Sequence, residues 1–284
     1  MKTVLVAGAT GYLGRYLCAE YARRGWYVTA LVRSRARASD LTADQLVEAE
    51  ATVPATLQGI MEGADLVVSA LGITRQADRL SYRDVDYQAN LNLLLEAERA
   101  GVGRFAYVHV LNADAMRHVP LVAAKAEFVQ ALQASPLPST VIAPSGYFSD
   151  MGDFLSMARS GRVWLFAPGT RRINPIHGAD LAAATADATD AGMAWRDVGG
   201  PDTFTHIELA HLAAAAVGRP PRVTLLPDWL RRLTFRLLPM VSPRRIHGPA
   251  QFFLTAMGMD MVGQACGTRR LKDHFASSVR GEHT

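Results

Sequence analysis

Cysteine is scarce in this chain. Cys18 and Cys266 are the only two among 284 residues, which excludes a disulfide framework and any paired-cysteine metal site. No uncharged apolar run approaches the roughly 18 residues that a membrane-spanning helix needs. A strong charge of one sign is also lacking, because 30 Lys and Arg against 26 Asp and Glu leave a net +4. Basic residues gather at 33–37, 171–172, 231–236 and 244–245 without an aromatic-interleaved stripe, so nucleic acid is not an expected partner. There is no repeat and no low-complexity linker. Met1-Lys2 runs straight into strand-like sequence, leaving no room for a signal peptide, and a cytoplasmic location is expected. What is present suits an ordered core: 49% of the residues are hydrophobic and 20% charged. At this length one large α/β domain is expected, alone or with a small appendage.

The most informative stretch is the N-terminal one. Thr3-Val-Leu-Val-Ala reads as a buried strand, Gly8-Ala-Thr10-Gly11-Tyr12-Leu13-Gly14 as a glycine-rich turn, and Arg15-Tyr-Leu as the opening of a helix. A dinucleotide-binding βα turn requires that order. The first glycine allows the tight turn, the second lets backbone N–H groups approach a pyrophosphate, and the third lets helix pack on strand. The phosphates then sit at a helix N-terminus, where unpaired N–H groups and the helix dipole favour anions.

Downstream the pattern alternates. Strands are expected at 4–7, 28–32, 47–51, 66–70, 105–110 and 140–143, with helices at 13–23, 54–62, 82–100, 122–133 and 148–159. Short apolar strands rich in β-branched residues, alternating with helices, predict a doubly wound parallel sheet of the Rossmann kind. Further on, 163–166 and 223–226 read as strands, and helices are expected from His177-Gly-Ala-Asp180 and over 207–217. The stretch 229–261 reads as two helices broken by Pro239 and Ser242-Pro243, rich in Leu, Phe and Met with interspersed arginines. The expected division is an NADP-binding core over 1–160 and a substrate-binding part over 161–284 that interleaves with it. A helical lid over about 227–264 belongs to that second part, since adaptable apolar side chains suit a bulky flat ligand. A small packed C-terminal subdomain, compatible with the lid, and an amphipathic membrane-surface helix are the other readings of this stretch.

The end of the second strand bears on the cofactor. An NAD site usually places Asp or Glu there to accept from the ribose 2′-hydroxyl. Here Arg33, Ser34, Arg35 and Arg37 follow Tyr27-Val-Thr-Ala-Leu-Val. Guanidinium groups pair with a 2′-phosphate that a carboxylate would repel, so NADP(H) is the expected cofactor. Ala70, Leu71 and Gly72, after the fourth strand, would border the adenine and its ribose.

These residues resemble the short-chain dehydrogenase/reductase superfamily in its extended and atypical branch. The likeness rests on Gly8-Ala-Thr-Gly11-Tyr-Leu-Gly14, Leu31-Val-Arg33, Lys125-Ala-Glu127, Ala143-Pro144-Ser145-Gly-Tyr147-Phe148 and Asn174-Pro-Ile-His177-Gly-Ala-Asp180, and spans about residues 1–225. The whole is similar to the NmrA-like group and to relatives of the 39-kDa subunit of respiratory complex I. The resemblance implies a Rossmann sheet with a C-terminal substrate-binding part. It also implies a catalytic Tyr-x-x-x-Lys preceded by serine, the tyrosine giving a proton to the carbonyl oxygen and the lysine holding the nicotinamide ribose. Lys125 has the right neighbourhood, but Leu121 stands four residues before it, and the strand expected to end in serine reads Tyr107-Val-His109-Val-Leu-Asn112. The usual proton donor is absent.

Hydride transfer does not demand that tyrosine, because positioning supplies a large share of the acceleration. The developing alkoxide still needs stabilisation and a proton. Beside Lys125 the candidate donors are Ser145, Tyr147, His109 and Asn112, ordered water, or an acidic hydroxyl on the substrate. Pro144, Ser145 and Phe148 are expected to border the cofactor. No metal ligation is expected. The overall likeness to ketoreductases of bacterial aromatic-polyketide pathways, angucyclinone types among them, implies NADPH-dependent reduction of a ketone on a small hydrophobic molecule. Reduction of C=C bonds by isoflavone- or vinyl-type relatives is the alternative within the enzymes. A non-catalytic NADP-binding sensor or assembly factor is the alternative outside them.

Overall fold

The computed structural model describes residues 1–73, 80–241 and 244–281. Within them the strands β1 (Thr3–Ala7), β2 (Tyr27–Val32), β3 (Gln45–Glu48), β4 (Leu66–Ser69), β5 (Arg104–Val108) and β6 (Ser139–Pro144) form the expected alternation. The intervening helices are α1 (Tyr12–Arg23), α2 (Asn90–Ala100) and α3 (Pro120–Ala134). The later elements are α4 (Gly152–Ser160), β7 (Val163–Phe166), β8 (Arg172–Ile173), α5 (Gly178–Asp190), β9 (Trp195–Gly199), β10 (Phe204–Thr205), α6 (His206–Ala216) and β11 (Val223–Leu226). The chain closes with α7 (Asp228–Val241), α8 (Arg244–Ala256), β12 (Gln264–Ala265) and α9 (Leu271–Arg280).

The main sheet is parallel and eight-stranded, in the order β12-β9-β6-β5-β4-β1-β2-β3. Its first six strands therefore run 3-2-1-4-5-6, the doubly wound arrangement of a Rossmann fold, as expected from the sequence. Strand order reverses between β1 and β4, whose registers place Ala7 opposite Ser69. Ligands of open α/β sheets bind at the carboxyl ends of the strands flanking such a reversal.

Two expectations about local structure need correction. Residues 54–62 form no α-helix: a single 3₁₀ turn at Pro54–Thr56 is followed by tight turns, and Gly59 takes φ +81°. A left-handed residue inside the segment cannot continue a right-handed helix. In the C-terminal stretch, α7 passes position 239, where a break was expected. A proline there costs one backbone bond in a helix that ends two residues later. The break expected at Ser242-Pro243 lies outside the described residues.

The chain divides into two compact units, one of Met1–Ala143 with Leu181–Arg196, the other of Pro144–Asp180 with Asp197–Thr284. In the first, Leu93, Phe105, Tyr107, Phe128 and Val141 are fully buried around the sheet. The Tyr107 and Phe128 rings meet edge-on at 4.6 Å. Helix α1 is tied to α5 by Tyr21 Oη and Thr189 Oγ1 at 3.1 Å, and by Arg24 paired with Asp187 at 2.7 Å and Asp190 at 3.0 Å. In the second unit, Phe148, Phe154, Leu155, Val163, Leu165, Leu209 and Phe275 make a separate core. Beside it, β7 pairs with β11 in parallel and β8 with β10 antiparallel. Helix α6 opens on a capping box, in which the Glu208 N–H donates to Thr205 Oγ1 and the Glu208 carboxylate accepts from the Thr205 N–H.

Candidate functional site

The glycine turn is built from backbone alone. Gly8 has φ +79°, and the Gly11 N–H donates to the Gly8 carbonyl at 3.0 Å. A Cβ at Gly8 would lie 2.9 Å from the Ala70 carbonyl group, and one at Gly14 would lie 2.1 Å from the Gly8 oxygen. Both positions therefore admit only glycine, one for the close approach of the loop after β4 and the other for helix on strand. Helix α1 begins at Gly11 with no side-chain cap and no acidic residue in its first turn. The dipole at this end of α1 favours an anion. Thr10 and Gly11 are exposed on the turn, Tyr12 is half-buried and Leu13 is buried. This cradle fits a dinucleotide pyrophosphate.

At the end of β2, Arg33 and Arg35 are exposed and Ser34 half-buried. Neither arginine forms an ion pair with a described residue, and the Arg35 N–H donates to Glu48 at 3.3 Å. The side chain of Arg37 lies outside the described residues.

Beyond β4, the loop Ala70-Leu71-Gly72 is held by two buried side chains. Ser69 Oγ donates to Asn90 Oδ1 at 2.5 Å, and Asn90 Nδ2 donates to the carbonyls of Val85 and Asp86, both at 3.1 Å. Leading into α2, Arg83–Ala89 forms a π-helical stretch. The wider turn carries the fully buried carboxylate of Asp86 to Lys125, at 3.3 Å from Oδ1 to Nζ. Such wide turns are frequent at functional sites. Lys125 also donates to Tyr107 Oη and to the Val108 carbonyl, both at 3.3 Å, and its ammonium lies 5.1 Å from the Tyr107 ring centroid. A Cβ at Gly72 would lie 2.6 Å from Asp86 Oδ1 and 3.1 Å from Lys125 Nζ, so the loop backbone packs directly on the pair. Burial pushes the Asp86 carboxyl up to about 6 despite the opposing pull of Lys125, and pushes the Tyr107 phenol up to about 12.

Gly8, Ala70, Leu71, Gly72 and Lys125 are thus brought together in the first unit. His109 and Asn112 follow β5. His109 is buried, edge-on to Trp195 at 5.9 Å, and its Nδ1 has no hydrogen-bond partner among the described residues. Burial pushes its imidazole down to about 3, and the Lys125 charge acts in the same direction, so the ring is neutral near neutral pH. Asn112 has φ +57°, the only left-handed residue other than glycine among those described.

The second unit holds the remaining candidates. Ser145 is buried, and its hydroxyl donates to the Asn174 carbonyl at 2.6 Å. Asn174 in turn donates to the Gly263 carbonyl at 2.9 Å and accepts from the Gly263 N–H at 3.0 Å. The Asn174-Pro-Ile-His177 motif therefore fastens distant loops. His177 Nδ1 accepts from the Ala179 N–H at 3.1 Å, fixing the start of α5. Asp180 accepts from the N–H groups of Thr268 at 3.0 Å and Arg269 at 2.9 Å. Pro144 ends β6, Tyr147 is half-buried, and the buried Phe148 packs against His177 at 5.6 Å and His274 at 5.4 Å.

Asp86 and Tyr107 are the site residues that sequence reasoning missed; a buried Asn90 tying the helix to a strand is legible in the sequence, without a place among the expected site residues. One signal was available. Asp86, Asn90, Leu93 and Ala97 recur at helical spacing and all are fully buried, so two polar residues occupy the apolar stripe, where they need partners.

A Rossmann sheet with a glycine cradle at its switch point defines a dinucleotide-binding protein. A family model described as NAD(P)H-binding matches residues 8–190, and the chain belongs to that family. Among curated relatives, the chloroplastic divinyl chlorophyllide a 8-vinyl-reductase of Zea mays is 31% identical over 255 residues, covering 79% of this chain and 62% of the relative. The photosystem II assembly factor Ycf39 of Guillardia theta is 28% identical over 232 residues, covering 79% and 73%. Part of each relative's length therefore has no counterpart in the match. Among solved structures, the NADPH complex of the quinone oxidoreductase QOR2 from Escherichia coli superposes with a TM-score of 0.75. It is 20% identical and covers 98% of this chain and 99% of that one. No described helix is long and apolar enough to cross a membrane.

Proposed function

We propose that the chain is an NADPH-dependent reductase acting on a ketone of a bulky, hydrophobic, aromatic polyketide-like molecule. The observation that carries this reading is the Lys125–Asp86 pair packed against Gly72, in the loop that also closes on Gly8. Retaining a buried ion pair at the carboxyl end of a Rossmann sheet costs desolvation, which a role at the nicotinamide ribose explains. Gly8, Thr10, Gly11, Tyr12, Leu13 and Gly14 hold the pyrophosphate. Ala70, Leu71 and Gly72 line the adenosine, and Pro144, Ser145 and Phe148 border the nicotinamide end. Exposed Arg33 and Arg35, with Ser34, select the 2′-phosphate and so NADP(H) over NAD(H).

When bound, the cofactor supplies the hydride. Lys125 supplies a fixed positive charge that favours the oxygen anion forming on the substrate, and Asp86 with Tyr107 keeps its ammonium in place. The proton that completes the alcohol comes from a hydroxyl beside the substrate carbonyl or from water. The Ser145 hydroxyl already donates to Asn174, and neutral His109 is a weak acid. Tyr147 and Asn112 are the further candidate donors. The segment 161–284 supplies the substrate-binding surface, with the helices of 227–264 as its lid.

A second reading is reduction of a C=C bond, favoured by the 31% identity to the maize vinyl-reductase. A non-catalytic role is favoured by the likeness to an assembly factor. The three separate when NADPH consumption is followed with aromatic ketones and with matched alkenes. Consumption with the ketones, abolished in Lys125→Met, is expected. Consumption with the alkenes alone supports the second reading, and none with either the third. Methylating the hydroxyl beside the carbonyl should slow turnover at least about 100-fold, the low end of what a positioned acid contributes.

A further inference from the structure

Helix α7 (Asp228–Val241) is 14 residues long and turns an apolar arc outward. Trp229 is 62% exposed, Leu233 41%, Leu237 44% and Met240 81%. At 100° per residue, Trp229, Leu233 and Met240 fall within about 40° of one another, and Leu237 lies at one edge of the arc. Arg232 and Arg236, both exposed, line the opposite edge. Opposite this arc, Arg231 donates to the Leu254 carbonyl of α8 at 2.9 Å, so the two helices are fastened on the inner side. The apolar arc is therefore not a core face left open by a missing neighbour.

Charge decides what covers it. The helix carries three arginines against one aspartate, and Asp228 is already bound by Arg231 at 2.7 Å and Arg232 at 2.8 Å. Arg236 forms no ion pair with a described residue. A convex arc with an interfacial tryptophan, flexible aliphatic chains and flanking arginines matches a helix lying in the headgroup region of a membrane. A second copy of the chain meets it poorly, because three arginines against one aspartate leave the helix of each copy with a net positive charge.

We propose that α7 docks the protein reversibly on anionic phospholipid surfaces, with Trp229, Leu233 and Met240 entering the headgroup boundary and Arg232 and Arg236 pairing with lipid phosphates. The proposed lid includes α7, so vesicle binding is measured without NADPH or ketone, and its failure is distinguishable from failure of the reductase reading. The full chain is sedimented with vesicles containing phosphatidylglycerol and, separately, with pure phosphatidylcholine vesicles. Binding to the first only, weakened by salt, is expected. Arg232→Glu with Arg236→Glu should lower the apparent affinity at least about tenfold, and Trp229→Ser with Leu233→Ser should abolish it. Lys272→Glu, a charge reversal at an exposed position of α9, should leave it unchanged. Unaltered melting midpoints in all variants show that the fold is kept. Equal binding to both vesicle types, binding to neither, or a dimer in light scattering that Trp229→Ser dissolves would overturn the proposal.

Discussion

The glycine turn and the Lys125 cluster handle charge in opposite ways. From Gly8 to Gly14 the chain strips side chains away, so that backbone N–H groups and the α1 dipole face outward for an anion. Around Lys125 it packs side chains inward, and a cation is held by a fully buried carboxylate, a phenol and a carbonyl. The first device is tolerant of chemistry and intolerant of volume. The second is the reverse. Each should therefore fail under a different kind of substitution.

The largest effect is expected at Gly14. Gly14→Val places a branched side chain where even a Cβ would lie 2.1 Å from the Gly8 oxygen. NADPH affinity should fall more than about 100-fold, read by equilibrium titration, because overpacking there displaces the turn itself. Unchanged affinity would show that the backbone cradle is not the phosphate site.

At Lys125 volume matters less than charge. Lys125→Met keeps the bulk and leaves Asp86 buried without its cation, and should destabilise by about 3–5 kcal/mol in denaturant unfolding. Adding Asp86→Leu should recover most of that loss, whereas the hydride-transfer activity should stay lost. Recovery of activity in the double variant would reduce the pair to scaffolding.

Arg33→Ala tests the boundary of the anion site. Affinity for NADPH should drop about tenfold, as expected for one charge-assisted contact, while affinity for NADH stays constant. A parallel drop in both would move Arg33 away from the 2′-phosphate.

The most gradual effect concerns pH. The Asp86 carboxyl is raised in the folded chain from 3.8 to about 6. Its contribution to stability is then fully present below the unfolded value and is lost as pH rises through the folded one. Relative to Asp86→Asn, the parent protein should lose stability between about pH 4 and 6, by no more than about 1.4 kcal/mol per pH unit. A flat difference would mean that Lys125 fully offsets the burial.

The same contrast explains what the sequence discloses. The glycine turn is local, so spacing and flanks suffice to read it, and the alternation of apolar strands with helices gives the order of the sheet. Strand β9 escaped because its Trp195-Arg-Asp segment lacks an apolar run, and the turns at 54–62 escaped because one left-handed glycine overrides helix-like composition. Lys125 stood out as a lysine on an apolar helix. Its partner Asp86 falls on the apolar stripe of another helix, but periodicity does not say which residue it meets, and Tyr107 reads as an ordinary strand aromatic. Ser145 looked like a free hydroxyl in its motif, but its bond to the Asn174 carbonyl depends on a loop far along the chain. Contacts between distant segments are what a single sequence hides.

The most direct test of the reductase account is isotopic. NADPH carrying deuterium at the transferable nicotinamide position is incubated with the protein and aromatic polyketide ketones, and the products are read by mass spectrometry. Deuterium on the carbinol carbon, absent with Lys125→Met, is the predicted result. No deuterium in any product while NADPH saturates the protein would contradict it.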